Sequence, residues 1–92
     1  MATRWVHQYG DGLVYSGPCL LQAVSVLPND AGDQVAVYDG RDATSGKLFG
    51  KVKATIILTW ALCFVGGVPF DQGIYLDATD GDVETTVVFT PL

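Results

Sequence analysis

The feature that most constrains this chain is its punctuation. Strand-length runs of β-branched, aromatic and aliphatic residues recur throughout, and each is closed by Gly, Pro, Asn or Asp. Regular spacing of this kind marks a small all-β sandwich or barrel. No convincing amphipathic helix appears. Thr3 to Tyr9 reads as a first strand or an N-terminal arm within residues 1–9, with Trp5, His7 and Tyr9 on one face. Leu13 to Tyr15 is a short extended piece, and Cys19 to Leu27 has the continuous apolar character of a central strand. Gln34 to Tyr38 follows a strong turn, and Asp39 to Gly50 reads as an irregular surface loop. Val52 to Trp60 is β-branched enough for a strand, although periodicity equally allows a helical turn in the apolar run through Val65, and Gly66 to Gln72 reads as a connection. Gly73 to Ala78 and Val83 to Thr90, joined by Thr79-Asp80-Gly81-Asp82, read as a hairpin. The expectation is one domain over residues 1–92, a small antiparallel β-sandwich or barrel of about seven short strands.

Charge narrows the function classes. The chain has 92 residues, a net charge of −5 and only 16% charged side chains, against roughly 25% in an average domain. Its five cations, Arg4, Arg41, Lys47, Lys51 and Lys53, form no run that would neutralise a phosphate backbone, so no nucleic-acid partner is expected. A surface this poor in charge suggests burial against other chains. Arg4, His7, Gln8 and Asp11 interrupt any secretion-signal pattern. Ala54 to Phe70 carries no charge, but Thr55, Thr59, the Gly66-Gly67 pair and Pro69 make it a poor spanning helix, so no membrane partner is expected. Cys19 and Cys63 are too few for a disulfide scaffold and sit among apolar residues, which favours two free, buried thiols and synthesis in a reducing cytoplasm over a single Cys19–Cys63 bridge between sheets, a choice that Cα separation decides.

Candidate chemistry is sparse. Gly40 to Leu48 has one residue too many between its glycines, and Leu48 stands where a phosphate loop needs Ser or Thr. His7 is the only histidine, and a Cys-His nucleophilic pair would require it to meet Cys19 or Cys63. Zinc would lack ligands of its preferred types. Asp77, Asp80, Asp82 and Glu84 offer calcium-type oxygens but miss the EF-hand spacing, as does the Asn29 to Asp33 turn. The predicted site therefore contains no catalytic residue, no metal and no cofactor. Aromatic residues could line a sugar groove, although a core this small needs most of them.

Gly17 to Val26, Val35 to Gly40, Val68 to Leu76 and Val83 to Phe89 together resemble, in order and pattern, the small β-sandwich proteins of tailed-bacteriophage particles. That resemblance implies a non-enzymatic virion structural protein, foremost a capsid decoration or cement protein or else a small component of the tail or fibre apparatus, located in the virion after synthesis in the host cytoplasm. It further implies a homo-oligomer, with a trimer as one candidate, and the major capsid or another virion protein as partner. The uncharged stretch Ala54 to Val65 departs from a freely dispersed member, and an oligomer interface would account for it. The expected contact residues are Arg4, Trp5 and Tyr9 in the arm and Arg41, Asp42, Lys47 and Phe49 in the loop. The alternative is a carbohydrate-binding module using aromatics and calcium.

Overall fold

The structure, a computed structural model, describes residues 2–92. Its eight strands are β1 (Arg4–Tyr9), β2 (Gly12–Ser16), β3 (Cys19–Leu27), β4 (Gln34–Asp39), β5 (Lys47–Lys53), β6 (Trp60–Phe70), β7 (Gly73–Ala78) and β8 (Glu84–Pro91). They form two antiparallel four-stranded sheets, ordered β1-β8-β3-β6 and β2-β7-β4-β5, that pack face to face as a β-sandwich. Among the described residues no helix is long and apolar enough to cross a membrane.

Alternation builds the core. Along β8, Thr85, Val87, Phe89 and Pro91 point inward while Glu84, Thr86, Val88 and Thr90 face out. Cys19, Leu21, Val24 and Val26 of β3 lie beside them, and Val35, Val37, Ile74 and Leu76 come from the opposite sheet. Tyr15 packs on Phe89 with ring centroids 5.1 Å apart. Phe49 of β5 reaches across to Phe64 and Phe70 of β6, at 5.5 and 5.2 Å, and closes one open side of the sandwich.

Only β4 and β5 are joined within a sheet, and every other link carries the chain from one sheet to the other. This topology corrects the expected hairpin of residues 73–78 and 83–90. β7 pairs with β2 and β4, whereas β8 pairs with β1 and β3. The turn chemistry is present, with Val83 N donating to Asp80 O and Asp82 N to Asp80 Oδ1. Its two ends are held apart: Thr79 N donates to Gln34 O on β4, while Gly10 N beside β1 donates to Val83 O.

The expected loop at residues 39–50 shrinks, because Lys47 to Gly50 belong to β5 and pair with β4. The expected strand at 52–60 is divided. Ala54 exchanges backbone bonds with Gly32 and Asp33, and this pulls the chain out of β5 and across to β6. The expected connection beginning at Gly66 is instead part of β6, which stays paired with β3 through a register shift at Leu21/Ala23. Gly66 and Gly67 have φ of 80° and 81°, a conformation that costs glycine little and lets the strand bend. Cys63, expected to be buried, is exposed on this edge strand, while Cys19 is buried.

Three substitutions test these assignments. Thr85 is fully buried, and its hydroxyl has no hydrogen-bond partner among the described residues. Thr85→Val should therefore raise stability by about 1 kcal/mol in urea unfolding, because an unpaired buried hydroxyl is replaced by an isosteric methyl. Gly73 has φ +146°, and a Cβ there would collide with the Tyr15 carbonyl. Gly73→Ala should cost about 1–3 kcal/mol, whereas Gly50→Ala, whose Cβ meets nothing within 4 Å, should be close to neutral.

Candidate interaction surface

The sheet β1-β8-β3-β6 exposes an outer face almost free of charge. The register places Trp5, Val88, Ala23 and Cys63 in one transverse row, and His7, Thr86, Ser25 and Ala61 in the next. Tyr9, Glu84 and Leu27 complete a third, in which Glu84 is the single formal charge. Trp5 and Tyr9 are 70% and 61% exposed, so the aromatic pair named from sequence does project outward. Arg4 is exposed on the same strand.

The other predicted contact residues lie elsewhere. Arg41 and Asp42 line a cleft of about 410 Å³ with Ser45, Asp71 and Gln72. Asp42 Oδ1 accepts from Thr44 N, Ser45 N and the Ser45 hydroxyl, and these bonds, the Ser45 amide foremost, lower its pKa. Lys47 and Phe49 line a second cleft of about 300 Å³ against Val68, Pro69 and Phe70. Phe49 thus has a packing role as well as an exposed edge. The structure brings the seven residues together as three separate patches, not one site.

Beyond the clefts, a large apolar exposure falls in the uncharged stretch from Ala54 to Val65, for which the sequence suggested an oligomer interface. Ile56, Ile57 and Leu58 lie exposed in the crossing between β5 and β6, and Leu62 and Val65 continue the surface along β6. No charged side chain interrupts Ala54 to Phe70. The signal was in the sequence; its placement on an open sheet edge was not.

His7 meets neither cysteine. Cys19 is buried on β3 and Cys63 lies on β6, at the opposite edge of the sheet from β1. Burial, with the nearby Asp39 charge, pushes the Cys19 thiol up to about 11. His7 instead bonds Thr86 Oγ1 through Nδ1 at 2.8 Å and Glu84 Oε1 through Nε2 at 3.2 Å. Hydroxyl, imidazole and carboxylate have the composition of an acyl-transfer triad. They stand on a flat face, however, and the clefts described above are lined by other residues. Tyr9 stacks edge-on against His7 at 5.5 Å, and the Glu84 charge raises the Tyr9 pKa.

The acidic residues considered for calcium are dispersed. Asp77 faces out on β7 opposite Ala36, and Glu84 is with His7 on the other sheet. Asp80 instead gathers with Asp30 and Asp33 from the β3–β4 turn. The Asp33 carboxylate is already engaged: Oδ2 accepts from Asn29 N and Asp30 N, and Oδ1 from the Thr79 hydroxyl. The Asp30 amide leads the causes that lower its pKa, with Thr79 and the Asn29 amide adding to it and partial burial opposing. The chain matches no family model and no curated protein.

These carboxylates give a pH prediction. A group whose pKa is depressed by folding stabilises the native state above its unfolded value and loses that contribution as pH falls through its folded value. Asp33 and Asp42 both have this sign. Urea midpoints should therefore fall as pH drops below about 4, and Asp33→Asn should lower the midpoint at pH 7 and flatten the acid limb. An acid limb unchanged by Asp33→Asn would show that the clamp contributes nothing.

Proposed function

We propose that the chain is a non-enzymatic structural protein that works by assembly. It associates with further copies of itself, and it attaches as a decoration or cement protein to the particle of a tailed phage. The observation that carries the assembly half is the uncharged, exposed run through Ile56, Ile57, Leu58, Leu62 and Val65. An isolated protein has little use for such a surface, and contiguous exposed apolar patches mark interaction sites. The phage half draws on the sequence resemblance to small β-sandwich virion proteins. In this reading the two clefts with Arg41, Asp42 and Lys47, the outer face of β1 with Trp5 and Tyr9, and the exposed Arg4 on the same strand are the surfaces left for the particle.

A second reading, glycan binding, is supported by the exposure of Trp5 and Tyr9 on one flat face with His7 between them. Its calcium element loses support, because Asp77, Asp80 and Glu84 lie on different surfaces.

Light scattering after size exclusion, under reducing conditions and across a dilution series, tests the first reading. The expected result is a species larger than one chain that dissociates only on strong dilution. A monomer at every concentration overturns it. A glycan array, with and without a chelator, tests the second; loss of a specific signal in Trp5→Ala would support it, and an array with no signal would remove it.

A further inference from the structure

Resting on the assembly reading, we infer that β6 is the strand through which two copies join, antiparallel and across a twofold axis, so that their four-stranded sheets merge into one. The sandwich has four open edges, β1, β6, β2 and β5. An exposed edge invites pairing, and proteins guard it with charge, proline, bulges or short strands. β5 carries Lys47, Lys51 and Lys53, three of the five cations in the chain. β1 carries Arg4. β2 is only five residues long and has a register break between Leu13 and Tyr15. β6 is the longest strand at eleven residues, and Trp60 to Val65 contain no charge, proline or glycine. Its bend at Gly66-Gly67 and its Pro69 lie beyond that stretch.

Alternation then restricts the register. Trp60 and Phe64 pack against the core side, and Leu62 shares their face because it is paired with the buried Val24. Ala61 and Cys63 take the outer face, opposite Ser25 and Ala23. Directly opposed residues in an antiparallel pair point to the same side of the sheet, so the twofold must run through a residue meeting its own copy. Centring on Leu62 sets Leu62 against Leu62, Ala61 against Cys63 and Trp60 against Phe64. Centring on Cys63 would oppose Trp60 to Gly66, where the strand bends. The Leu62 register places apolar groups opposite apolar groups throughout.

The area is of the right order. Leu62, Ile56, Leu58 and Ile57 are 46–59% exposed and Val65 is fully exposed. Spread over the flank and both faces of the edge, these residues expose roughly 500 Å² in all, the same order as the ~800 Å² per partner of a standard interface. A second copy fits better than a charged partner, since nothing between Ala54 and Phe70 could pair with a charge, and like charges cannot meet across an isologous contact that contains none.

The test uses the intact chain. Leu62→Lys places each lysine against its own copy, and Ala61→Lys puts a guard on the outer face without touching the core. Each should raise the self-dissociation constant at least about tenfold in dilution-series light scattering, with an unchanged circular dichroism spectrum. Diagonal neighbours across such a ladder lie about 7–8 Å apart. A short bismaleimide should therefore link Cys63 of one copy to Cys63 of the other in the native chain, and much less in Ala61→Lys. Should Leu62→Lys fail to fold, Ala61→Lys and the cross-link decide. Undiminished assembly of Ala61→Lys, or assembly without Cys63 cross-linking, overturns β6 pairing while leaving self-association standing. A native chain that is monomeric throughout overturns both.

Discussion

The interaction on which the rest of this fold depends is a carboxylate accepting backbone amides at the places where the chain leaves one sheet for the other. Asp33 holds the amides of Asn29 and Asp30 and the hydroxyl of Thr79, and so ties the β3–β4 crossing to the β7–β8 crossing. Asp39 accepts from Asp71 N and Gln72 N, which pins the β6–β7 turn onto the end of β4. Asp11 accepts from Ala78 N and binds the β1–β2 turn to the end of β7. In a sandwich with a single in-sheet hairpin, almost no connection is held by its own ladder. Charge-assisted bonds of this kind supply the missing definition. The excess of acidic residues thus has a structural use before any ligand is considered.

That use explains what could and could not be read in the sequence. Strand positions were legible because alternation and turn residues are local properties: β1, β3, β4, β7 and β8 lie within a residue or two of their expected bounds. Sheet membership was not legible. Thr79 to Asp82 has the composition of a hairpin turn and makes a hairpin turn's bonds, yet Gln34 on one side and Gly10 on the other send its two strands to different sheets. The partners that decide the outcome lie far away in sequence. The same holds for His7, whose contacts with Thr86 and Glu84 exist only because β1 lies on β8. Neighbouring residues gave no hint of either partner.

The candidate surface was half legible for a related reason. An uncharged run from Ala54 to Phe70 is visible without a structure, but it is equally compatible with a core strand. What exposes it is the pair of backbone bonds joining Ala54 to Gly32 and Asp33. Those bonds bury Ala54 and turn the following residues outward, so Ile56, Ile57 and Leu58 face solvent although their β-branched and aliphatic side chains suit an interior. Trp60 Nε1 donates to Ile56 O at 3.3 Å and helps hold this crossing in shape. Exposure here is a consequence of a clamp, not of polarity.

Charge placement gives the surface its direction. Lys47, Lys51 and Lys53 all lie on β5, while the neighbouring edge across the sandwich, β6, has no charge at all. The two edges flank the same open side, closed between them by Phe49 against Phe64 and Phe70. A lysine-bearing edge strand resists pairing with its like, and an uncharged one does not. With both on one side of the molecule, the proposed sheet extension is left to β6, and the bend at Gly66-Gly67 limits how much of β6 stays straight enough to take part. Any copy that adds to this side must therefore meet Trp60 to Val65, and the clamp at Ala54 presents Ile56 to Leu58 beside them as the flank of the same contact.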